Sequence, residues 1–370
     1  MQKIEINNLV CPHVLNMKAY SSARMEYDGK DGVFLDANEN SLGSVTSEIH
    51  NRYPDPLQSD LKNQIATVYN VLPTQLFLGN GSDECINVLI QAFCRSGLDK
   101  IVQFSPTFSM YEHAAKIMNI EVIDVLLNES DFQINTNELF STLGKSTNTS
   151  SLKDENNKEI KQGIVKIVFI CSPNNPTGNL INKNDIEFVL NNFDGLVVID
   201  EAYQDFSGNE SWLNRLNEFQ NLVVINTFSK SYGMADARLG MLFANHEIIH
   251  FMNTIKMPYN ITQHTIQLGL EAIRNLSKKQ AFIIDLLNGK KYLNTELNKI
   301  SIVKKIYPSD TNFILFKVDD ANAVYQYLLS NQVIIRNRNS APLLKGCLRV
   351  SVGTKAENEK FISALKNYKS

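Results

Sequence analysis

LVVINTFSKSYGMADARLG, residues 222–240, combines a buried-strand pattern with an unusual placement of charge. Its first four residues are apolar and mostly β-branched, which is typical of a strand covered on both faces. Soon after that run, Lys230 stands between two serines, and Arg238 follows eight residues later. Lysines mostly lie on solvated surfaces, so a lysine at the end of a buried strand raises the question of what it binds.

Runs of the same kind recur along the chain and alternate with amphipathic stretches. The other runs are IVQF (101–104), VIDVLL (122–127), VKIVFI (165–170) and LVVI (196–199). Helical patterns such as DECINVLIQAFC (83–94) lie between them. Continuous β-branched runs separated by helices predict βαβ units, and therefore an α/β fold with a largely parallel sheet.

The pattern changes after about residue 255, where a long helical region (264–299) leads to short strands and a final helix. That order indicates a smaller α+β unit. The predicted division is an N-terminal arm (1–45), a large domain (46–255) and a small C-terminal domain (256–370). The polar segment 141–162 is predicted to be a surface loop or a ragged helix end.

Composition argues against several classes of function. The net charge of −3, with 20% charged residues, gives no reason to expect nucleic acid or an anionic membrane as partner. No apolar run reaches the ~20 residues of a membrane span, and the N-terminus lacks a signal-peptide pattern. Five scattered cysteines without a CxxC pair are typical of reduced thiols. We therefore expect a cytoplasmic protein.

Polar residues gather at the ends of the predicted strands. The segments that follow the runs are SPTF (105–108), CSPNNPTG (171–178), DEAY (200–203) and NTFSK (226–230). In open parallel sheets, ligands bind at the carboxyl ends of the strands. These segments are therefore expected at one edge of the sheet, and their shared position is more informative than any single motif.

The residue types at this edge suit one cofactor. Asp200 ends a buried strand, where a carboxylate needs a cationic partner such as a ring nitrogen, although a helix cap or a salt bridge would also explain a lone aspartate. A desolvated Lys230 becomes a nucleophile that forms Schiff bases with carbonyls. Asn175 and Tyr203 offer an amide and a phenol to a ligand oxygen. Together these groups match the needs of pyridoxal phosphate.

A phosphate site is predicted beside them. GNGSDE (79–84) precedes a helix, and free N–H groups at a helix N-terminus suit a phosphate. Ser82 or Asp83 could cap that helix. Ser229 and Arg238 would serve the same phosphate, because an arginine can bind it bidentately.

With these residues in place, the sequence resembles the fold-type I, pyridoxal-phosphate-dependent aminotransferases over essentially the whole chain. Within that group it is most similar to the histidinol-phosphate aminotransferases. The segments that carry the resemblance are YSSAR (20–24), LDANENS (35–41), RYPDPLQSDLK (52–62), GNGSDECINVLIQAFC (79–94), SPTFSMY (105–111), CSPNNPTG (171–178), DEAY (200–203), TFSKSYGMADARLG (227–240) and GCLRVSVGT (346–354). The resemblance implies a large domain with a mostly parallel seven-stranded sheet and a smaller α+β C-terminal domain.

The resemblance also implies a reaction, which is amino-group transfer between L-histidinol phosphate and 2-oxoglutarate in histidine biosynthesis. In it, Lys230 binds the cofactor aldehyde and serves as general base. Asp200 pairs with the pyridine nitrogen, Asn175 and Tyr203 contact the ring oxygen, and Phe108 stacks on the ring in place of the family's frequent tyrosine.

Further roles follow for the phosphate and the dimer. By resemblance, the cofactor phosphate is surrounded by Ser82, Asp83, Ser229 and Arg238. Tyr53 would reach the phosphate of the neighbouring subunit's cofactor, which implies a homodimer with shared active sites.

The substrate end is assigned by the same resemblance. Arg349 matches the arginine that binds the carboxylate of the amino donor, glutamate. Arg336 and Tyr20 match residues near the substrate phosphate, and Asn38 lies in the arm that lines the site. Arg338 is a nearby cation without a role. Two alternatives of the same fold stay open, namely an aromatic or broad-specificity aminotransferase and threonine-phosphate decarboxylase.

A competing motif points to another class of protein. His246, Glu247 and His250 match H-E-x-x-H, the zinc-binding signature of metalloproteases. A third ligand would have to be His264 or Glu271, and no supporting pattern surrounds either. We interpret the segment as an ordinary helix with its apolar residues toward the core. We also do not expect the protein to be a DNA-binding regulator, because no DNA-binding segment or basic patch is evident.

Overall fold

The chain forms a seven-stranded, a four-stranded and a two-stranded sheet in the computed structural model, which describes residues 4–21, 32–147, 152–153, 159–160 and 163–369. The strands are β1 (Leu76–Asn80), β2 (Lys100–Ser105), β3 (Glu121–Leu126), β4 (Leu152–Lys153), β5 (Glu159–Ile160), β6 (Val165–Cys171), β7 (Leu196–Asp200), β8 (Leu222–Thr227), β9 (Leu239–Ala244), β10 (Val303–Ile306), β11 (Phe313–Val318), β12 (Arg336–Asn337) and β13 (Cys347–Ser351). The helices are α1 (Ile6–Leu9), α2 (Pro12–Leu15), α3 (Ser59–Tyr69), α4 (Gly81–Phe93), α5 (Met110–Ile117), α6 (Thr136–Thr147), α7 (Lys183–Asn192), α8 (His246–Ile255), α9 (Gln263–Arg274), α10 (Leu276–Leu297), α11 (Ala321–Ser330) and α12 (Lys355–Asn367).

The large sheet has seven strands in the order β1-β9-β8-β7-β6-β2-β3. The pairs from β8 through to β3 are parallel, whereas β9 runs antiparallel to both of its neighbours. The predicted α/β fold with a mostly parallel seven-stranded sheet is therefore confirmed.

Alternate residues of the central strands face two different cores. Val168, Ile170 and Ile199 pack in the core on one face of the sheet. Phe169 and Val198 pack in the core on the other face. Because helices cover both faces, these strands are apolar at successive positions instead of alternating with polar residues.

The carboxyl ends of three neighbouring parallel strands meet at one edge. Cys171, at the end of β6, lies opposite Asp200 at the end of β7, and Asp200 lies opposite Ile225 of β8. Strand β8 continues to Thr227. The segments that carry Asn175, Asp200 and Lys230 therefore begin side by side, as the sequence predicts.

Glycines let helix α4 start close to strand β9. Gly81 has φ +73, and a Cβ atom there would lie 2.4 Å from Nη2 of Arg238. A Cβ atom on Gly240 would lie 2.3 Å from the backbone of Gly81 and Ser82. Both positions need glycine, because any side chain would push the first turn of α4 away from Arg238.

The small sheet has the order β10-β11-β13-β12, and its adjacent strands are antiparallel. Helices α10, α11 and α12 pack with it around a separate apolar core. A smaller α+β unit is thus present toward the C-terminus, while the domain boundaries near residues 45 and 255 stay predictions.

Two predicted segments differ in detail from the structure. The long helical region consists of α9 and α10, which meet at Asn275. In the polar segment 141–162, α6 continues to Thr147, and much of the remainder lies outside the described residues.

None of the described helices is long and apolar enough to cross a membrane.

Candidate active site

One cavity at the carboxyl ends of β6, β7 and β8 gathers every residue predicted to bind the cofactor except Tyr53. It is lined by Ser82, Asp83, Phe108, Cys171, Asn175, Asp200, Ala202, Tyr203, Thr227, Ser229, Lys230 and Arg238. The sequence interpretation had assigned no role to Cys171, Ala202 or Thr227. Residues spread over more than 150 positions of sequence therefore meet in one place.

Asp200 is buried in this cavity and hydrogen-bonded to neutral donors. Its side chain is 3% exposed. The Tyr111 hydroxyl donates to Oδ2 at 2.6 Å, and the N–H of Ala202 donates to Oδ1 at 3.0 Å. Burial raises the pKa of the Asp200 carboxyl, and the two hydrogen bonds act against that rise. The carboxylate thus retains capacity for a cationic partner.

Tyr111 is a functional candidate that the sequence interpretation missed. It is fully buried, stacks on Phe169 with centroids 4.6 Å apart, and meets Phe108 edge-on at 5.6 Å. Its only sequence signal is the spacing of three residues from Phe108, which brings both rings to the start of α5. Its partner Asp200 lies 89 positions away, so no local pattern indicates the contact.

We expect Tyr111→Phe to shift the acid limb of the activity profile to higher pH. The hydrogen bond from Tyr111 lowers the pKa of Asp200, so its removal raises that pKa further. We expect kcat/KM to fall roughly 10-fold, as for loss of a hydrogen bond to a charged group. Activity against pH is the measurement, with Tyr69→Phe as control, because the Tyr69 hydroxyl lies 3.3 Å from that of Tyr232 outside the cavity. Coincident profiles for wild type and Tyr111→Phe would contradict this role.

Lys230 follows β8 in a turn, with its Nζ 5.5 Å from the ring centroid of Tyr203. Burial and the nearby charge of Arg349 lower its pKa, and the carboxylates of Asp200 and Asp83 partly offset that effect. Among the described residues, no hydrogen bond or ion pair is made by its ammonium group. A lysine in this state loses its proton more readily than a solvated one.

Arg238 and the first turn of α4, which carries Ser82 and Asp83, form one end of the cavity. Nη2 of Arg238 lies 2.9 Å from Oδ2 of Asp83. The Thr227 hydroxyl lies 3.0 Å from Oγ of Ser229 and accepts from the Ser229 N–H at 3.1 Å. The helix begins at Gly81, so Ser82 and Asp83 lie in its first turn and do not cap it. Their free N–H groups suit an anion.

Arg349 connects the small sheet to this cavity. Its Nη1 donates to Oδ1 of Asn175, 174 positions away in the chain. Its guanidinium lies over the ring of Phe313 at 4.9 Å from the centroid. Burial lowers the pKa of Arg349, and the charge of Arg336 lowers it further. The predicted carboxylate-binding arginine is thus in contact with a residue of the predicted cofactor site.

Tyr20, Asn38 and Tyr53 do not line the cavity in the single chain. Tyr20 is 68% exposed, and Tyr53 is 51% exposed and stacks on Tyr259 with centroids 4.4 Å apart. Asn38 is exposed and has φ +55. Glu39 accepts from the Tyr53 N–H at 2.7 Å, which holds the arm segment to the Tyr53 segment. The predicted roles of Tyr20, Asn38 and Tyr53 stay predictions.

The H-E-x-x-H segment lies on helix α8, whose residues Ile248, Ile249 and Phe251 are buried. Its polar residues border a surface cavity that is separate from the one around His264 and Glu271. Within the described ranges, no group of three His, Cys, Asp or Glu side chains could hold a metal ion. The segment is an ordinary amphipathic helix.

Comparison with known proteins identifies relatives over the full chain. The family model described as "Aminotransferase class I and II" matches residues 24–365. Histidinol-phosphate aminotransferase of Christiangramia forsetii is 43% identical over 368 residues, which cover 99% of both chains. That of Cytophaga hutchinsonii is 42% identical over 363 residues, which cover 98% of this chain and 99% of the relative. The structure of the Sinorhizobium meliloti enzyme in complex with pyridoxal-5'-phosphate has a TM-score of 0.74 at 20% identity, covering 89% of each chain.

Proposed function

The chain belongs to the class I and II aminotransferases, and we propose that it transfers an amino group between L-histidinol phosphate and 2-oxoglutarate, with pyridoxal phosphate as cofactor. The products are imidazole-acetol phosphate and glutamate, in histidine biosynthesis. The observation that carries the reaction type is the meeting of Lys230, Asp200 and Arg238 in one cavity. The choice of substrate is supported by relatives of that name at 42% and 43% identity.

The side chains of the cavity fit pyridoxal phosphate. Arg238 and the free N–H groups of the α4 first turn suit its phosphate. The carboxylate of Asp200, which among the described residues accepts only from Tyr111 and Ala202, suits a protonated ring nitrogen. Asn175 and Tyr203 line the same cavity and suit the ring oxygen. Each polar feature of the cofactor thus has a complementary group.

When bound, pyridoxal phosphate supplies a carbonyl for amine exchange and an electron-withdrawing ring that stabilises negative charge at the substrate Cα. Lys230 Nζ accepts the proton from that carbon and returns it, a task that its lowered pKa favours. Asp200 keeps the ring nitrogen protonated through its buried charge. Arg349 binds an anionic group of the substrate while its Nη1 holds Asn175 in place.

A panel of amines with 2-oxoglutarate as acceptor tests the substrate. The panel contains histidinol phosphate, phenylalanine, tyrosine, aspartate and threonine phosphate. We expect the highest kcat/KM for histidinol phosphate. A preference for an aromatic amino acid, or release of CO2 from threonine phosphate, would refute the proposed substrate and leave the aminotransferase family membership intact.

We also infer a homodimer in which each active site uses Tyr53 of the neighbouring subunit. Tyr53 lies outside its own chain's cavity, with about half of its surface exposed. The segment before it carries apolar side chains that are each at least 78% exposed, namely Val33, Leu35, Leu42, Val45 and Ile49. Such a concentration of exposed apolar surface is typical of an interface with another chain.

The five free cysteines support a cytoplasmic location.

Mixing two inactive variants tests the shared site. We expect Tyr53→Ala and Lys230→Ala homodimers to be nearly inactive alone. After subunit exchange, each mixed dimer has one site with both residues intact, so an equal mixture should recover about one quarter of wild-type activity. The control mixes Lys230→Ala with Asp200→Asn, two residues of the same cavity, and should recover none. Absence of recovery in the first mixture, with exchange verified by tagged subunits, would refute the shared site.

A further inference from the structure

Three arginines share one face of the small sheet. Arg336 of β12 lies directly opposite Arg349 of β13 in the antiparallel register, which brings both side chains to the same face. Arg338 follows Arg336 by two residues, and its N–H donates to the carbonyl of Cys347 at 3.0 Å, so the strand pairing continues to it. Since side chains alternate along a strand, Arg338 projects to the same face as Arg336.

These three arginines lack an acidic partner within the part of the chain that the structure describes. The Nε atoms of Arg338 and Arg349 are both buried and lack any hydrogen-bond acceptor. Burial lowers the pKa of Arg338, and the charges of Arg349 and Arg336 lower it further. Partly buried cations such as Arg338 and Arg349 are unfavourable next to one another unless an anion joins them.

The cluster adjoins the cofactor cavity at one end and solvent at the other. Arg349 contacts Asn175, whereas Arg336 is exposed. Arg338 is half-buried, and its charge acts on the Tyr203 hydroxyl of the cavity. An anion on a substrate that extends from the cavity would therefore meet Arg338 together with the other two arginines.

The charge of the anion decides how many guanidinium groups it can use. A carboxylate carries one charge, and its two oxygens are satisfied by one bidentate guanidinium. A phosphate monoester carries up to two charges and three acceptor oxygens, which accommodate donors from more than one arginine.

We propose that Arg338 is a specificity-determining residue that favours a phosphate dianion over a carboxylate at the substrate end of the site. The inference rests on the proposed function, in which one substrate carries a phosphate and glutamate carries only carboxylates. Arg338 supplies an additional guanidinium group. A phosphate dianion can bind it together with another arginine, whereas a carboxylate is satisfied by a single arginine.

The test compares Arg338→Gln with wild type on two donors, using the enzyme loaded with cofactor. We expect kcat/KM for histidinol phosphate to fall roughly 10- to 100-fold, mostly through KM, as for loss of a charge-assisted hydrogen bond. With glutamate as donor, we expect kcat/KM to stay within roughly threefold. Arg338→Lys should recover part of the loss, because it retains the charge but not the bidentate geometry.

The matched control is Lys345→Gln, which removes one exposed positive charge from the same loop region. We expect it to leave both donors unchanged. If Arg338→Gln lost kcat/KM equally for histidinol phosphate and glutamate, the specificity role would be overturned. The same would follow if Lys345→Gln lost as much kcat/KM for histidinol phosphate as Arg338→Gln does. Folding is verified by the absorbance of the bound cofactor, and Arg338→Lys serves if the glutamine variant does not fold.

Inorganic phosphate provides a readout that does not depend on the proposed substrate. With glutamate as donor, phosphate should inhibit wild type competitively, and its inhibition constant should rise at least roughly 10-fold in Arg338→Gln. The effect should weaken as the pH is lowered, because protonation converts the phosphate dianion into a monoanion. If wild type rejects histidinol phosphate, the proposed function fails, while an unchanged inhibition constant refutes the role of Arg338 itself.

Discussion

Lys230→Ala is expected to lose the visible absorbance of the lysine-bound cofactor together with nearly all turnover. The amine supplies both the attachment point and the group that moves the proton at the substrate Cα. Loss of a general base alone costs typically 10²- to 10⁴-fold in rate. Among the described residues, Lys230 is the one lysine in the lining of the cavity, so we expect no other amine to replace it. Absorbance spectra and single-turnover rates measure the two losses separately.

A matched control and a rescue experiment sharpen the Lys230 test. Lys345→Ala removes an exposed lysine and should retain both the spectrum and the rate. A small primary amine added to Lys230→Ala should restore part of the rate, because the alanine leaves space where Nζ stood. If Lys230→Ala without added amine catalysed multiple turnovers at the normal rate, the assigned role of Lys230 would be refuted.

Asp200→Asn is expected to slow proton removal from the substrate by roughly 10²- to 10³-fold, as for loss of one preorganised electrostatic contact. The amide keeps the shape of the carboxylate and can still accept from Tyr111 or Ala202 through its one oxygen. It lacks the negative charge that holds a proton on the ring nitrogen. We therefore expect the variant to fold and to bind the cofactor, with the loss concentrated in kcat.

The adjacent Glu201 provides the control for Asp200. It is also buried, but it accepts from the Trp212 N–H at 2.7 Å and from the Ser211 hydroxyl, outside the cavity. Burial raises the pKa of Glu201 to about 7. Glu201→Gln can retain both contacts and should leave the rate of proton removal close to that of wild type. Equal losses in the two variants would indicate a general effect of altering buried carboxylates and would contradict the role of Asp200.

Contacts between distant residues account for what the sequence interpretation missed. Lys230, Asp200 and Asn175 were predictable, because each follows an apolar run that identifies it as the end of a parallel strand. Tyr111 was not, because its hydroxyl finds Asp200 only after α5 packs against the sheet. The helix start at Gly81 was also missed, since it depends on the close approach of Gly240 and Arg238.

The sequence by itself determined the α/β class, the edge of the sheet at which the site lies and nine of the twelve residues that line the cavity. These follow from local properties, namely apolar periodicity and the polar residue at each strand end. Only the tertiary structure decided that Arg336, Arg338 and Arg349 share one face, where none of the described acidic side chains pairs with them, and that Arg349 reaches Asn175. Pairing register and burial depend on segments far apart in the chain, so no local pattern specifies which charges meet.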